Sequence, residues 1–314
     1  MVKPKIAVVW GKWGPYHHAR FNKLAQTYGK DSCLGVAIAG LSETYEWKPV
    51  HEDMVKGRVV TLNPEEAQEN VRPFKIGKQV FSLCRKEKIK VVFVISYWPT
   101  RYCAVLLAAR LAGARCVMMN ESHAATERAH GIKRWIKRQL IKLFDSALVG
   151  GTLHKQHFAN LGVPEEKMFF GYDAVDNDYF KAAALSARSQ VDVLRHQHGL
   201  PEHYILNLGR MVKKKNLPLL IEAYARFSEH QSSAEKNHAL VLIGSGPEEE
   251  NLRSLALRLG LRVVNLTPDQ TPTDSARTVF FGGFRQIDEN PIFFALADVF
   301  VLPSHTEEWG LVVN

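Results

Sequence analysis

Short apolar, β-branched runs alternate along the chain with stretches whose apolar positions recur every three or four residues. KIAVVWG (5–11) predicts a strand, and PYHHARFNKLAQTYG (15–29) a helix closed by Gly29. The alternation continues: strand at 32–40, helix at 72–88, strand at 89–98, helix at 100–113, strand at 114–122, helix at 131–144, strand at 146–151, helix at 152–163. Strands that are apolar throughout, separated by helices, predict a parallel sheet covered on both faces. FFGYDAVDNDYFKAAALSARSQ (169–190) breaks the rhythm with Asp, Asn, Ala and Ser, and a linker is expected there. The pattern then restarts: strand at 203–209, helix at 216–230, strand at 238–246, helix at 247–261, strand at 278–284, helix at 290–297, strand at 298–304. Leu217, Leu220, Ile221, Tyr224 and Phe227 form the apolar face of the first of these helices. The polar, Pro-bearing stretch 265–276 is expected to be a surface loop. The fold class is therefore α/β: two doubly wound, Rossmann-like domains with parallel sheets, and ligands expected in a cleft between them at the carboxyl ends of the strands. The expected division is 1–178 for the first domain, 179–195 for the linker and 196–314 for the second.

Length supports two domains, because 314 residues exceed what one core of about 250–300 residues holds. The 46% hydrophobic and 23% charged fractions are those of a globular protein. No apolar run approaches the ~18 residues needed to span a bilayer, and the N-terminus reads as a first strand rather than a signal peptide. Cys33, Cys84, Cys103 and Cys116 have no Cys-x-x-Cys spacing and lie in apolar stretches, so reduced buried thiols and a cytoplasmic setting are expected. The 13 histidines match no metal pattern, and no metal is expected. Charge changes the picture more. Residues 1–178 hold 27 Lys/Arg against 17 Asp/Glu, an excess of ten, while 179–314 hold 14 against 15. An anionic partner for the first half is the expectation. No RNA- or DNA-binding pattern accompanies that charge, so nucleic acid is not expected.

Four loops at strand ends in the second half carry candidate chemistry. NLGRMVKKKNLP puts Arg210, Lys213, Lys214 and Lys215 at a helix N-terminus, where cations gain nothing from the helix dipole but suit an anion placed between them. A solvated basic turn is the alternative. Gly244-Ser245-Gly246-Pro247 and Gly282-Gly283 permit close backbone approach, or a plain tight turn. PSHTEEWG offers Glu307 and Glu308 to sugar hydroxyls, or to solvent.

Together and in this order, the four loops resemble the donor-binding domain of glycosyltransferase family 4, the group 1 retaining enzymes of the GT-B fold. The resemblance rests on Gly209-Arg210 with Lys215-Asn216, Gly244-x-Gly246-Pro247, Gly282, and Pro303-Ser304, Glu307 and Gly310-Leu311. It covers most of 200–314 and extends more loosely over 1–180, where YDAVDNDYF is similar to the family's interdomain linker. The resemblance implies a hexosyltransferase that moves a sugar from a UDP-, GDP- or ADP-sugar to a glycan or lipid-linked acceptor with retention, as in polysaccharide biosynthesis, with no cofactor. Arg210 and Lys215 would neutralise the diphosphate, Glu307 would accept from the donor sugar, and Gly310-Leu311 would offer backbone amides. The family pattern has a second glutamate, which counted from Glu307 falls immediately after Asn314. The expectation is thus of a piece of a longer chain, lacking that residue and a C-terminal segment.

In the first half, the resemblance assigns a Gly-rich loop to Gly11 and Gly14, and a sugar-facing His after the strand CVMMN to His123, with Glu121 beside it. His17 and His18 read as surface helix residues, the alternative being that they reach the cleft. Arg128, Lys133, Arg134, Lys137, Arg138 and Lys142 give the helix near 128–144 a basic face among Trp135, Ile136, Leu140, Ile141 and Phe144. Either that face is simply solvated, or it docks peripherally on the anionic inner face of a membrane. Two alternatives to the transferase stay open: a GT-B nucleotide-sugar epimerase, and an inactive nucleotide-sugar-binding fragment.

Overall fold

A computed structural model describes residues 3–44, 46–48, 55–230, 237–270, 272 and 275–314. The chain divides into two compact units, one holding Met1–Asp176 with Glu308–Val312, the other Asn177–Glu307.

The first unit runs β1 (Ile6–Trp10), α1 (Pro15–Tyr28), β2 (Cys33–Ala37), β3 (Arg58–Thr61), α2 (Pro73–Glu87), β4 (Val91–Val94), α3 (Thr100–Leu111), β5 (Arg115–Asn120), α4 (Gly131–Ile141), β6 (Ser146–Val149), α5 (Thr152–Asn160) and β7 (Met168–Phe170). Its sheet has the order β3-β2-β1-β4-β5-β6-β7, all parallel. Alternate residues of one strand feed opposite cores, as the pleat requires. Ala7 and Val9 join Ile76, Val80 and Leu106 on one face. Ile6, Val8 and Trp10 join Phe21 and Ala25 on the other. Cys33, Cys84 and Cys116 are buried thiols and Cys103 is half-buried; burial pushes Cys84 up to about 11.

The second unit runs α6 (Asn177–Arg188), α7 (Val191–His198), β8 (Tyr204–Leu208), α8 (Leu217–Glu229), β9 (Ala239–Ile243), α9 (Glu249–Arg258), β10 (Arg262–Asn265), β11 (Thr278–Phe281), α10 (Asn290–Leu296) and β12 (Val299–Phe300). Its parallel sheet has the order β10-β11-β9-β8-β12. Leu240 and Leu242 pack beneath α8 and α9. Val241, Ile243 and Tyr204 pack toward Phe293 and Leu296 of α10. The face of α8 is buried at Leu217, Leu220, Ile221 and Tyr224, whereas Phe227 at its end is exposed.

Some elements depart from expectation. The expected linker, 179–195, lies largely within α6 and α7, and Arg188 Nε donates to Ala295 O at 3.3 Å, tying α6 to α10. The strands β3, β7 and β10 were not anticipated. The stretch 265–276 lies partly outside the described residues, and its first residue closes β10.

Candidate functional site

In the second sheet, β9 and β12 flank β8 on opposite sides, so the winding direction reverses beside β8. Loops leaving the carboxyl ends of β8 and β12 border that switch point, where open α/β sheets bind ligands.

Backbone bonds stitch the loops together. Gly209 N–H donates to Ile243 O at 2.9 Å, Met211 N–H to Ser245 O at 2.8 Å, and Gly244 N–H to Gly283 O at 2.8 Å. A Cβ on Gly244 would stand 2.0 Å from Gly209 O, and one on Gly246 2.4 Å from Met211 O. Both have positive φ, at 132° and 156°, so glycine is demanded there by loop against loop. A Cβ on Gly282 would meet Ile243 Cδ1 at 2.3 Å. Gly209 differs: a Cβ there would touch nothing within 4 Å.

The basic loop and the Pro-Ser loop come together. Lys213–Lys215 make one 3₁₀ turn, ending at Asn216 in the left-handed region with φ 52°. Asn216 Nδ2 donates to Pro303 O at 3.3 Å, and His305 N–H to Lys214 O at 3.0 Å. Lys215 Nζ is ion-paired with Glu307, which also accepts from Ser304 Oγ at 2.6 Å. The Lys215 and Glu307 side chains are 14% and 23% exposed. Arg210 is exposed just after β8.

The carboxyl edge of the first sheet is built otherwise. A Cβ on Gly11 would overlap Gln68 Oε1, at 1.6 Å, and Lys12 N–H donates to that same oxygen at 3.2 Å. Gly14 caps α1 and donates its N–H to His17 Nδ1 at 2.9 Å. His17 and His18, expected at the surface, pack inward, because the aromatic loop and helix around them supply apolar walls. Their rings lie 4.8 Å from Trp10 and 5.2 Å from Trp13 respectively. Burial, then Arg20 and His18, brings His17 down to about 3. Burial brings His18 down to about 4, and neither of its ring nitrogens has a partner.

Beyond β5, Glu121 is half-buried and its Oε2 has no partner. Burial foremost, then a hydrogen bond and charge from Asp173 and the charge of Glu308, raise it to about 9, against a smaller opposing effect of Arg20. Asp173 sits at φ 65° and is ion-paired with Arg20. His123 opens the turn after β5, where its N–H donates to Thr126 Oγ1 at 3.0 Å, and its ring lies 5.5 Å from that of His154. Gly151 N–H donates to His154 Nδ1 at 3.0 Å, leaving Nε2 to donate to Glu308 O at 2.8 Å. Trp309 stacks edgewise on His154 at 5.5 Å and donates Nε1–H to Asp173 O at 3.0 Å. Gly310 and Leu311 thus belong to the first unit, and Glu307 to the second. Sequence reasoning missed Arg20, Asp173 and His154, which lie in three separate segments and share no motif.

On α4, Ile132, Trp135 and Ile136 are exposed at 74%, 60% and 47%. Arg128, Lys133, Arg134, Arg138 and Lys142 are exposed around them. Lys137, counted among the basic face, is instead buried, bonded to Glu127 at 2.6 Å and facing His157 Nε2 at 3.3 Å. It points inward because Ile141, one turn on, belongs to the packed stripe.

Residues 191–314 match the family model of glycosyl transferases group 1. A GDP-mannose-dependent alpha-(1-6)-phosphatidylinositol monomannoside mannosyltransferase of Mycobacterium tuberculosis is 29% identical over 208 residues, 66% of this chain and 48% of the relative. The match thus spans about half the length of that relative. HepE of Anabaena, solved with UDP and glucose, superimposes with a TM-score of 0.64 at 16% identity, covering 98% of this chain and 76% of that one. A UDP-forming trehalose-phosphate synthase of Burkholderia xenovorans gives 0.66 at 14%, covering 99% and 80%. The shared fold is GT-B.

Proposed function

We propose that this chain carries the core of a nucleotide-sugar-dependent glycosyltransferase, a hexosyltransferase acting with retention. The region 196–314 takes the donor, and the region 1–178 takes a glycan or lipid-linked acceptor. The observation that supports this best is the partly exposed Lys215–Glu307 pair at the switch point of the second sheet, with exposed Arg210 in the loop that leads to Lys215. A donor diphosphate competes with Glu307 for the Lys215 ammonium. Once released, the Glu307 carboxylate accepts from sugar hydroxyls, while Arg210 and Lys215 hold the phosphates. As the glycosidic bond opens, negative charge grows on the leaving phosphate, and these two cations stabilise it where it forms. Gly209, with open space at its Cα, lets the ligand approach the backbone. Gly310 and Leu311 offer amides to the phosphates, and His123 faces the sugar. The names of the relatives favour a GDP- or UDP-sugar over an ADP-sugar.

Helix α4 gives the acceptor side a membrane contact. Its exposed Ile132, Trp135 and Ile136 enter the interface while the surrounding cations meet anionic lipid, each worth about 1 kcal/mol near the surface. Cosedimentation with phosphatidylglycerol vesicles at low salt is expected, and loss of binding in Trp135→Ala. A chain that stays in the supernatant with such vesicles rules the contact out.

The deciding experiment is calorimetric titration of the chain with UDP, GDP and ADP, then their sugar conjugates, alongside Arg210→Ala. One nucleotide should bind, and Arg210→Ala should lose it. Equal binding by the variant would remove the donor site from this loop. One observation favours a second reading, a nucleotide-sugar epimerase: the largely neutral Glu121 beside Asp173 gives the first unit paired carboxyls for moving protons. Conversion of the sugar in deuterated water without acceptor, with deuterium entering the ring, would select it.

A further inference from the structure

The second sheet has another cluster at the end opposite the donor loops. His203 directly precedes β8, His238 directly precedes β9, and Asp298 directly precedes β12. These strands are neighbours in the sheet, and the register Tyr204↔Ala239 sets His203 beside His238. One ligand atom from each of the three residues lies within 4.8 Å of the others. His203 Nδ1 is 3.3 Å from Asp298 Oδ2, and His238 Nε2 is 3.7 Å from that oxygen.

We propose that His203, His238 and Asp298 form a site for a divalent transition metal of the Zn²⁺ type, with water completing the coordination. The separations carry the assignment. Bonds of about 2.0–2.1 Å to a tetrahedral ion place ligand atoms about 3.4 Å apart, so the carboxylate already stands at that spacing from both imidazoles. Two imidazoles and one carboxylate suit Zn²⁺, Co²⁺ or Ni²⁺ rather than Mg²⁺ or Ca²⁺. The outer partners fit as well. The other ring nitrogen of His203, Nε2, lies 3.6 Å from Oε1 of the exposed Glu202, leaving it within reach of a second carboxylate. Asp298 is held by Tyr204 N–H at 3.0 Å, and the His238 carbonyl accepts from Tyr224 Oη at 3.0 Å. The cluster remains open to solvent, with side chains 15%, 27% and 37% exposed for His203, His238 and Asp298. Bound metal would pin β12, a strand of only two residues, to β8 and β9. That strand leads to the segment carrying Glu307, so the ion would act as a clamp behind the donor loops.

Sequence patterns pass over this site because its ligands come from three strands. The test is titration of the 314-residue chain with Co²⁺, following visible absorption, then displacement by Zn²⁺. Expected is a band that saturates at one equivalent and collapses with Zn²⁺. His203→Ala and His238→Ala should weaken it by at least about tenfold. Asp298→Asn, which keeps an acceptor for Tyr204 N–H, should weaken it similarly with an unchanged far-ultraviolet spectrum, and decides the matter should a His variant misfold. His196→Ala, at an exposed His near Asp269, should leave it intact. No saturable band, or one that persists in Asp298→Asn and His238→Ala, overturns the site.

Discussion

The carboxyl edges of the two sheets solve different problems with the same topology. At the edge of the second, the titratable groups are opposite charges left partly open, Lys215 against Glu307, with Arg210 exposed in the same loop as Lys215. At the edge of the first, burial brings His17 and His18 down and Glu121 up, so that neutral groups stand beside the Arg20–Asp173 ion pair. Accessible opposite charges suit exchange with an anion. Enclosed neutral groups suit a sugar hydroxyl, which needs a fixed donor or acceptor rather than a field. The difference lies in the loops. Aromatic Trp10 and Trp13 wall the first edge, whereas backbone-to-backbone bonds among glycine loops leave the second open.

The largest expected effect tests the charged edge. Arg210→Ala should lower transfer roughly a hundred- to a thousand-fold, the usual loss for one stabilising donor in the transition state, with melting unchanged. A loss below tenfold would break the contrast between the edges. Next comes the glycine scaffold: Gly244→Ala should destabilise the second unit by about 3 kcal/mol or more in denaturant titrations, since its Cβ meets a carbonyl at positive φ.

The enclosed edge predicts a pH signature with two limbs. The carboxyl of Glu121 is raised from 4.5 to about 9, so its contribution to stability is whole below 4.5 and is lost as pH rises through about 9. Glu121→Gln should flatten that alkaline decline in thermal melts. His18 is lowered from 6.5 to about 4, so stability is whole above 6.5 and is lost as pH falls toward about 4. His18→Leu should flatten the acid limb. The smallest effect is also the sharpest discriminator. Gly209→Ala should change stability by less than about 0.5 kcal/mol, because its Cβ has room, yet weaken nucleotide binding. Unchanged nucleotide affinity would make Gly209 an ordinary turn residue.

Periodicity made most of the fold legible, because the central strands are apolar along their whole length and β1, β2 and β9 are buried at every position. The strands that escaped are edge or near-edge. In β3 and β10 only the middle residues are partly covered, so neither carries an apolar run to read. Helix α6 escaped because its Asp, Asn and Ala start reads as linker until α10 packs on it. At the candidate site, Arg210, Lys215 and Glu307 were legible as motifs, but the pairing of Lys215 with Glu307 was not, being a product of strand order. Glu121 with Asp173 had no local signal at all. Nor did the inward turn of Lys137, which only the partners Glu127 and His157 reveal.

The ion pair at the switch point closes over 92 residues of chain, and the bond from Asn207 Nδ2 to Val301 O over 94. A protein leaving the ribosome makes its amino-terminal contacts first, and contacts this distant come last. The Lys215–Glu307 pair therefore has no precursor in a second unit synthesised only as far as β11. On the proposed function, capture on immobilised nucleotide would for that reason count only chains synthesised past Glu307.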